Sequence, residues 1–421
     1  MPALVPSIPA PLAALLADGG ARAAYQPVVR LPGRRVVAYE ALARGPEGSA
    51  LELPRALFGA AEQEDLVGEL DWACRLAAMR GALDANLPGD MALLVNAEPD
   101  LLTARIPAAD APLVLRAERD LTLIAEVTER RLADRPAELL RAVTELRERG
   151  WGLALDDVGA DWRSVALMPL LRPDIIKLDM GLVQEPFGVR AADVVRAVRA
   201  YANASGAQIL AEGIETEEHE RRALSWGATL GQGWLYGRPD ALPDAGSGAP
   251  ELGRALVRPP IPPSRLTPAQ LVEAAGLRLR PAPKEALLAH SVSIEQRAFA
   301  DPDPVVVLAT FQSAARFTSA TARRYASLAQ RSAFVGAFGV GMATSPAPGV
   351  RGAAIGPNEQ LAGEWNVVVV GPHHASALIA RDLGDTGPDR ERRFAHVLVD
   401  DRDLVLDAAR SLMVRILGNG G

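Results

Sequence analysis

Cysteine is nearly missing from these 421 residues: Cys74 stands alone, which excludes disulfides within the chain and cysteine-rich zinc sites. Lysine is almost as scarce, since only Lys177 and Lys284 interrupt a basic complement of 45 that is otherwise arginine. A lysine inside an apolar run therefore stands out. Of five histidines only His219 precedes residue 240, and Glu217, Glu218, Glu220 and Arg221 around it mark a surface helix. No apolar run reaches the roughly 18 to 20 residues that span a bilayer, so no membrane association is expected. The first 20 residues lack a basic segment and are broken by Pro2, Pro6, Pro9 and Pro11; they read as a lead-in with a short helix, not a signal peptide. A net charge of −7 argues against a general nucleic-acid surface, so no DNA or RNA partner is expected. One cysteine fits a reducing, cytoplasmic setting.

The chain is long enough for two domains. Its informative feature is a set of short apolar runs that end in polar residues. Val36–Tyr39 meets Glu40, Ala92–Val95 meets Asn96, and Leu123–Ala125 meets Glu126. Leu153–Leu155 meets Asp156-Asp157, Ile175-Ile176 meets Lys177, and Ile209–Ala211 meets Glu212. Such groups are costly to bury unless something binds there. Asn96, Glu126 and Asp156 recur at intervals of 30 residues, the length of a strand-helix unit. The pattern predicts a parallel (β/α)8 barrel of TIM type with these groups at its carboxyl-end mouth, where such folds keep active sites.

Strands are expected at 24–30, 36–42, 91–96, 121–127, 153–157, 174–178, 208–211 and, more weakly, 229–230, with helices such as 136–149 and 191–204 between them. The first two runs are joined only by Leu31–Arg35, a hairpin-length turn, so they should be antiparallel. Residues 239–268 turn rich in Pro, Gly, Ala and Ser, the composition of a semi-rigid connector. Beyond them, runs at 305–310, 333–338, 365–370 and 396–399 with helices at 319–330 and 404–417 describe a smaller α/β domain without a phosphate-binding loop or clustered metal ligands. The expected division is a lead-in over 1–19, the barrel over 20–257, a Pro-rich linker and short helix over 258–282, and the second domain over 283–421.

All candidate ligands of the first domain offer oxygen, which suits Mg²⁺ or Mn²⁺ far better than zinc. Asp156-Asp157 is the telling pair. Neighbouring strand residues point to opposite faces, so both can serve one site only where the strand ends, and Val158-Gly159 is read as that turn. One carboxylate could then bridge two ions of the kind that clamp a phosphoryl displacement.

In this order the residues resemble the EAL domain family of cyclic-di-GMP phosphodiesterases. The matches are Tyr25–Val29, Glu40-Ala41-Leu42 with Arg44, Asn96, Glu126–Glu129, Asp156–Gly159, Lys177–Asp179, Glu212–Glu215 and Gly231–Pro239. The resemblance implies a TIM-like barrel with one antiparallel strand and hydrolysis of cyclic-di-GMP to linear pGpG with two Mg²⁺ or Mn²⁺ ions. By the same resemblance Glu40, Asn96, Glu126 and Asp156 hold the first ion, and Asp156, Asp157 and Glu212 the second. Lys177 positions the attacking water with Glu212 beside it as base, while Glu129 and Glu215 support the ligands from behind. Gln26, Leu42, Arg44, Asp179 and Gln232 touch the dinucleotide. A homodimer is the family's habit.

The loop after the carboxylate pair departs from the family pattern at Val158, Asp161 and Arg163, where phenylalanine, glycine and serine are usual. A catalytically silent cyclic-di-GMP receptor is therefore the alternative. Residues 283–420, with Val305–Phe311 and Glu364-Trp365-Asn366, look like a DICT sensory domain, whose signal the sequence does not name. Cys74, Trp234 and Tyr236 are expected to pack, and His373-His374 to form a turn or helix start.

Overall fold

The computed structural model describes residues 12–97, 106–128, 135–160, 165–185, 188–243, 257, 264–386 and 388–416. Glu129 and loop residues 161–164 lie outside them. Eight strands close a barrel in sequence order: β1 (Arg22–Arg30), β2 (Arg35–Arg44), β3 (Ala92–Asn96), β4 (Thr122–Thr128), β5 (Gly152–Val158), β6 (Ile175–Leu178), β7 (Gln208–Ala211) and β8 (Leu230–Gln232). β1 runs antiparallel to both its neighbours, β2 and β8, and the other pairings are parallel. The hairpin read from Leu31–Arg35 is present.

Strand periodicity builds the mouth. Side chains two residues apart on a strand share a face. Ala38, Leu94, Ile124, Ala154, Ile175, Leu210 and Leu230 form one buried cluster inside the barrel with Val28. Two residues further along the parallel strands come Glu40, Asn96, Glu126, Asp156, Lys177, Glu212 and Gln232. On β1, which runs the other way, the corresponding residue is two earlier, Gln26. An apolar layer thus hands over to a polar one on every strand.

Asp157 has the wrong parity, and here the expectation is corrected. The strand does not end at the pair. The β5–β6 register slips between Leu155 and Val158, and Asp157 takes φ of 56°, while pairing resumes at Val158 with Leu178. This is a bulge, which re-aims a side chain without ending the strand. The turn follows at Gly159, whose φ of 109° suits glycine.

The second sheet has seven strands in the order β12-β11-β10-β13-β14-β15-β9. Their ranges are β9 (Arg280–Pro283), β10 (Val306–Ser313), β11 (Phe334–Val340), β12 (Arg351–Ala354), β13 (Glu364–Val370), β14 (Ala375–Asp382) and β15 (Arg393–Val399). Alternation sorts its two faces. Val307, Ala309, Val367 and Val369 pack with Leu287 and Ile294 of the helix Lys284–Ala300. Val306, Leu308, Val368 and Val370 join Val405, Ala409 and Leu412 of the helix Arg402–Met413. That second cluster continues into Leu139, Val143 and Leu170 of the barrel's outer helices, so the helix Arg402–Met413 is shared packing for both units. Arg410 fastens it, donating from Nε to the Leu170 carbonyl at 2.9 Å and from Nη2 to that of Pro169 at 2.5 Å.

Buried Glu364 ties down the helix Pro268–Ala274, accepting from the Ala269 N–H at 3.2 Å and from Asn366 Nδ2 at 2.9 Å. His373-His374 forms the β13–β14 hairpin, closed by a bond from the Gly371 N–H to the His374 carbonyl.

Candidate metal centre at the barrel mouth

The polar layer converges on one lysine. Lys177 Nζ lies 2.7 Å from Glu126, 2.9 Å from both Asp156 and Glu212, and 3.4 Å from Glu40. Only 1% of Lys177 is exposed, so the ammonium is out of water and compensated by carboxylates alone. Glu40 is further held by Gln232 Nε2 at 2.7 Å and Asn96 Nδ2 at 3.4 Å. Gln232 Nε2 also reaches Gln26 Oε1 at 3.3 Å, and Gln26 Nε2 donates to the Gly237 carbonyl at 3.2 Å.

Four carboxylates around one cation are too many for all to ionise at ordinary pKa values. Burial first, then Glu40, pushes Glu126 well above its usual range despite Lys177. Burial likewise raises Glu212 from 4.5 to about 8. Burial alone would lower Lys177, but Glu126, Glu212, Glu40 and Asp156 together hold it charged, well above its usual value. The arrangement is short of positive charge.

The donor set fits added cations. Oxygens of Asp156, Asp157 and Glu212 all lie within 4.8 Å of one another. Glu126 Oε2 is buried with no donor among the described residues. A buried carboxylate oxygen without a partner is costly, and a hard cation with oxygen ligands would satisfy it.

Leu42 and Asn96 line an adjoining cleft of about 280 Å³ that also reaches Glu126 and Thr128. Its far wall is the helix Val67–Asp84, where Asp71 and Arg75 pair at 2.7 Å, both buried. Sequence reading missed this pair. Its signal was opposite charges four residues apart on the face that carries Leu70 and Ala78. Cys74 packs, as expected, against the cluster of Leu57, Ala61 and Leu70 and also lines this cleft, and burial pushes its thiol up to about 12.

The remaining site candidates are spread around this centre. Half-buried Arg44 donates to the Ala43 carbonyl at 2.8 Å. Asp179 caps the helix Met180–Gln184 by accepting from the Gly181 N–H at 2.8 Å. Glu215 is exposed, and its N–H donates to His219 Nδ1 at 3.3 Å; no contact among the described residues ties its carboxylate to the cluster. Tyr236 is held by a bond to Glu220, but Trp234 is not packed. It is 53% exposed with the Arg238 guanidinium 4.0 Å over its ring.

Known proteins give this geometry its context. The EAL domain model matches residues 11–239. A second model, described as a sensory domain in diguanylate cyclases and two-component systems (DICT), matches 265–383. The cyclic di-GMP phosphodiesterase RocR of Pseudomonas aeruginosa is 33% identical over 232 residues, 53% of this chain and 58% of that protein. The probable cyclic di-GMP phosphodiesterase PdeB of Escherichia coli is 31% identical over 224 residues, 52% of this chain and 42% of that one. The chain thus spans about half the length of these curated relatives. Among solved structures, the PaMucR phosphodiesterase complex with c-di-GMP matches at TM-score 0.47 and 28% identity, over 54% of this chain and 95% of that one. A manganese and cyclic-di-GMP complex of Klebsiella pneumoniae BlrP1 matches at 0.46 and 29%, over 52% and 56%.

Proposed function

The chain belongs to the EAL domain family, and from that premise we propose that it is a cyclic-di-GMP phosphodiesterase producing linear pGpG. One observation carries the reading: Glu40, Glu126, Asp156 and Glu212 converge on buried Lys177 at the mouth of the barrel. In this proposal Glu40, Asn96, Glu126 and Asp156 hold one Mg²⁺ or Mn²⁺ ion, and Asp156, Asp157 and Glu212 hold a second. When bound, the ions neutralise the phosphodiester and make water acidic enough to attack it.

The chain's own groups do the rest. Lys177, held charged by its carboxylates, donates to the attacking water and fixes its direction. Glu212, whose carboxyl titrates near 8 without metal, stands beside it as the proton acceptor. Gln232 fixes Glu40 through Nε2, while its buried Oε1 has no donor among the described residues and is the atom to meet the dinucleotide with Gln26. Leu42, Arg44 and Asp179 are the other substrate contacts, and Arg44 suits phosphate by its fork of donors. Glu215 and Glu129 act from behind the ligands.

The proposal includes the division into barrel (20–257), connector (258–282) and regulatory domain (283–421), although Arg280–Ala282 of the connector already pair with β15. It also includes a homodimer and a cytoplasmic setting. No helix among the described residues is long and apolar enough to cross a membrane. Purified protein incubated with cyclic-di-GMP and Mn²⁺ or Mg²⁺ is expected to form pGpG, and chelation is expected to stop it. The changed residues Val158, Asp161 and Arg163 favour the second reading, a silent receptor. Tight dinucleotide binding with no product under either metal would establish that reading and end the first.

A further inference from the structure

A cleft of about 530 Å³ opens at one end of the second sheet, far in sequence from the barrel mouth. Three elements bound it: the last turn of the helix Lys284–Ala300, the β13–β14 hairpin and the start of the helix Arg402–Met413. Its floor is apolar and buried, formed by Ile294, Ala298, Val369 and Ala375. An apolar floor under a few polar groups is the usual build of a small-molecule site.

The rim carries charges of both signs, unevenly paired. Asp301 lies 3.3 Å from His374, and neighbouring Asp303 pairs with Arg196 at 2.9 Å, with His373 Nε2 standing 3.5 Å away. Asp400 is exposed, and Arg297 forms no ion pair among the described residues. Arg402 is the informative group. It is half-buried and has no carboxylate within ion-pair distance among the described residues. Its Nη2 donates to the carbonyls of Gly371 and Pro372 at 3.2 and 3.1 Å, while its Nη1 is buried with no acceptor among the described residues. A guanidinium drawn partly out of water and met only by carbonyls is costly until an anion completes it.

We propose that this cleft binds a small organic oxyanion, with its carboxylate or phosphate on Arg402 and Arg297 and its apolar body on Ile294, Ala298 and Val369. The barrel is placed to feel the occupant. Arg196, on the helix Val189–Ser205 between β6 and β7, reaches the same hairpin through His373 Nε2 at 2.9 Å. A guanidinium can only donate, so His373 Nε2 accepts and the ring is neutral in this contact. The proposal stands whether or not the barrel is a phosphodiesterase.

Benzoate and phenyl phosphate present the two oxyanion headgroups on one apolar body, and benzylamine is the cationic control. Titrated calorimetrically into the full chain, at least one of the two anions is expected to bind saturably and benzylamine is not. The anion that binds identifies the headgroup. Arg402→Gln and Arg297→Gln should each weaken it ~10-fold, the loss of one charge-assisted contact. Arg297 is exposed, so its variant separates lost binding from lost folding. Arg196→Ala should keep the affinity but erase the ligand-induced change in amide exchange along Val189–Ser205. Failure of both anions to saturate, equal binding of benzylamine, or full affinity in both arginine variants would overturn the proposal.

Discussion

The barrel mouth and the cleft of the second sheet handle charge in opposite ways. At the mouth Glu40, Glu126, Lys177 and Gln232 are buried, carboxylates dominate, and the layer stands two residues beyond a packed apolar one. At the cleft the groups sit on a hairpin and two helix ends, partly exposed and largely paired with one another. Burying an excess of carboxylates raises proton affinity and leaves Glu126 Oε2 without a donor, so the mouth demands cations. At the rim of the cleft Arg402 Nη1 has no acceptor among the described residues, and the proposed anion would supply one.

The largest effect should come from removing the shared cation of the mouth. Lys177→Ala is expected to lower pGpG formation by on the order of 10²- to 10³-fold, and Glu40→Ala to do at least as much. Steady-state assays check both, and a variant within a few-fold of wild type would break the contrast. Next comes the buried pair beside the mouth. Asp71→Asn removes the charge paired with buried Arg75 and should cost about 3–5 kcal/mol in denaturant unfolding, whereas Asp301→Asn at the cleft should cost about 0–1 kcal/mol.

The mouth also predicts a distinctive pH dependence. Glu212 titrates at about 8 in the folded state, against an ordinary 4.5, and Glu126 moves the same way. Between those values the folded chain binds more protons than the unfolded one, so metal-free stability should fall as pH rises from about 5 to 8. The contribution of Lys177, whose folded pKa is raised, is fully present below its unfolded pKa and stays constant across this window. Divalent cations displace the carboxyl protons, so saturating Mn²⁺ should remove or reverse the slope. Thermal melts across that range, with and without Mn²⁺, test this. Smaller still is the junction: Arg410→Ala loses two bonds to the Pro169-Leu170 turn and should cost about 1–3 kcal/mol. At the bottom of the scale, exposed Glu215→Gln should change stability by less than about 0.5 kcal/mol, although the proposed supporting role predicts a measurable drop in rate.

The barrel was largely legible because one rule of strand geometry repeats on every strand. Leu94 to Asn96, Ile124 to Glu126 and Ile175 to Lys177 are the same step of two, visible as apolar runs with polar ends. The bulge at Asp157 was not legible, because it depends on the register with β6, which no local pattern encodes. Asp71 and Arg75 escaped because they lie within a helix whose other groups read as packing. The second sheet was harder. β9 and β12 are four residues each with no apolar run, and β14 follows so closely on the His373-His374 turn that only the pairing with β13 reveals it. Trp234 was misjudged. Apolar neighbours in sequence do not reveal that a side chain opens onto solvent.

The central claim is that the polar layer of the barrel directs water at a phosphodiester. A single turnover of cyclic-di-GMP by the full chain in heavy-oxygen water with Mn²⁺, read by mass spectrometry, tests it most directly. The account predicts pGpG carrying one heavy oxygen on its terminal phosphate, with none formed by Lys177→Ala. Cyclic-di-GMP recovered intact from the folded, dinucleotide-bound protein would contradict it.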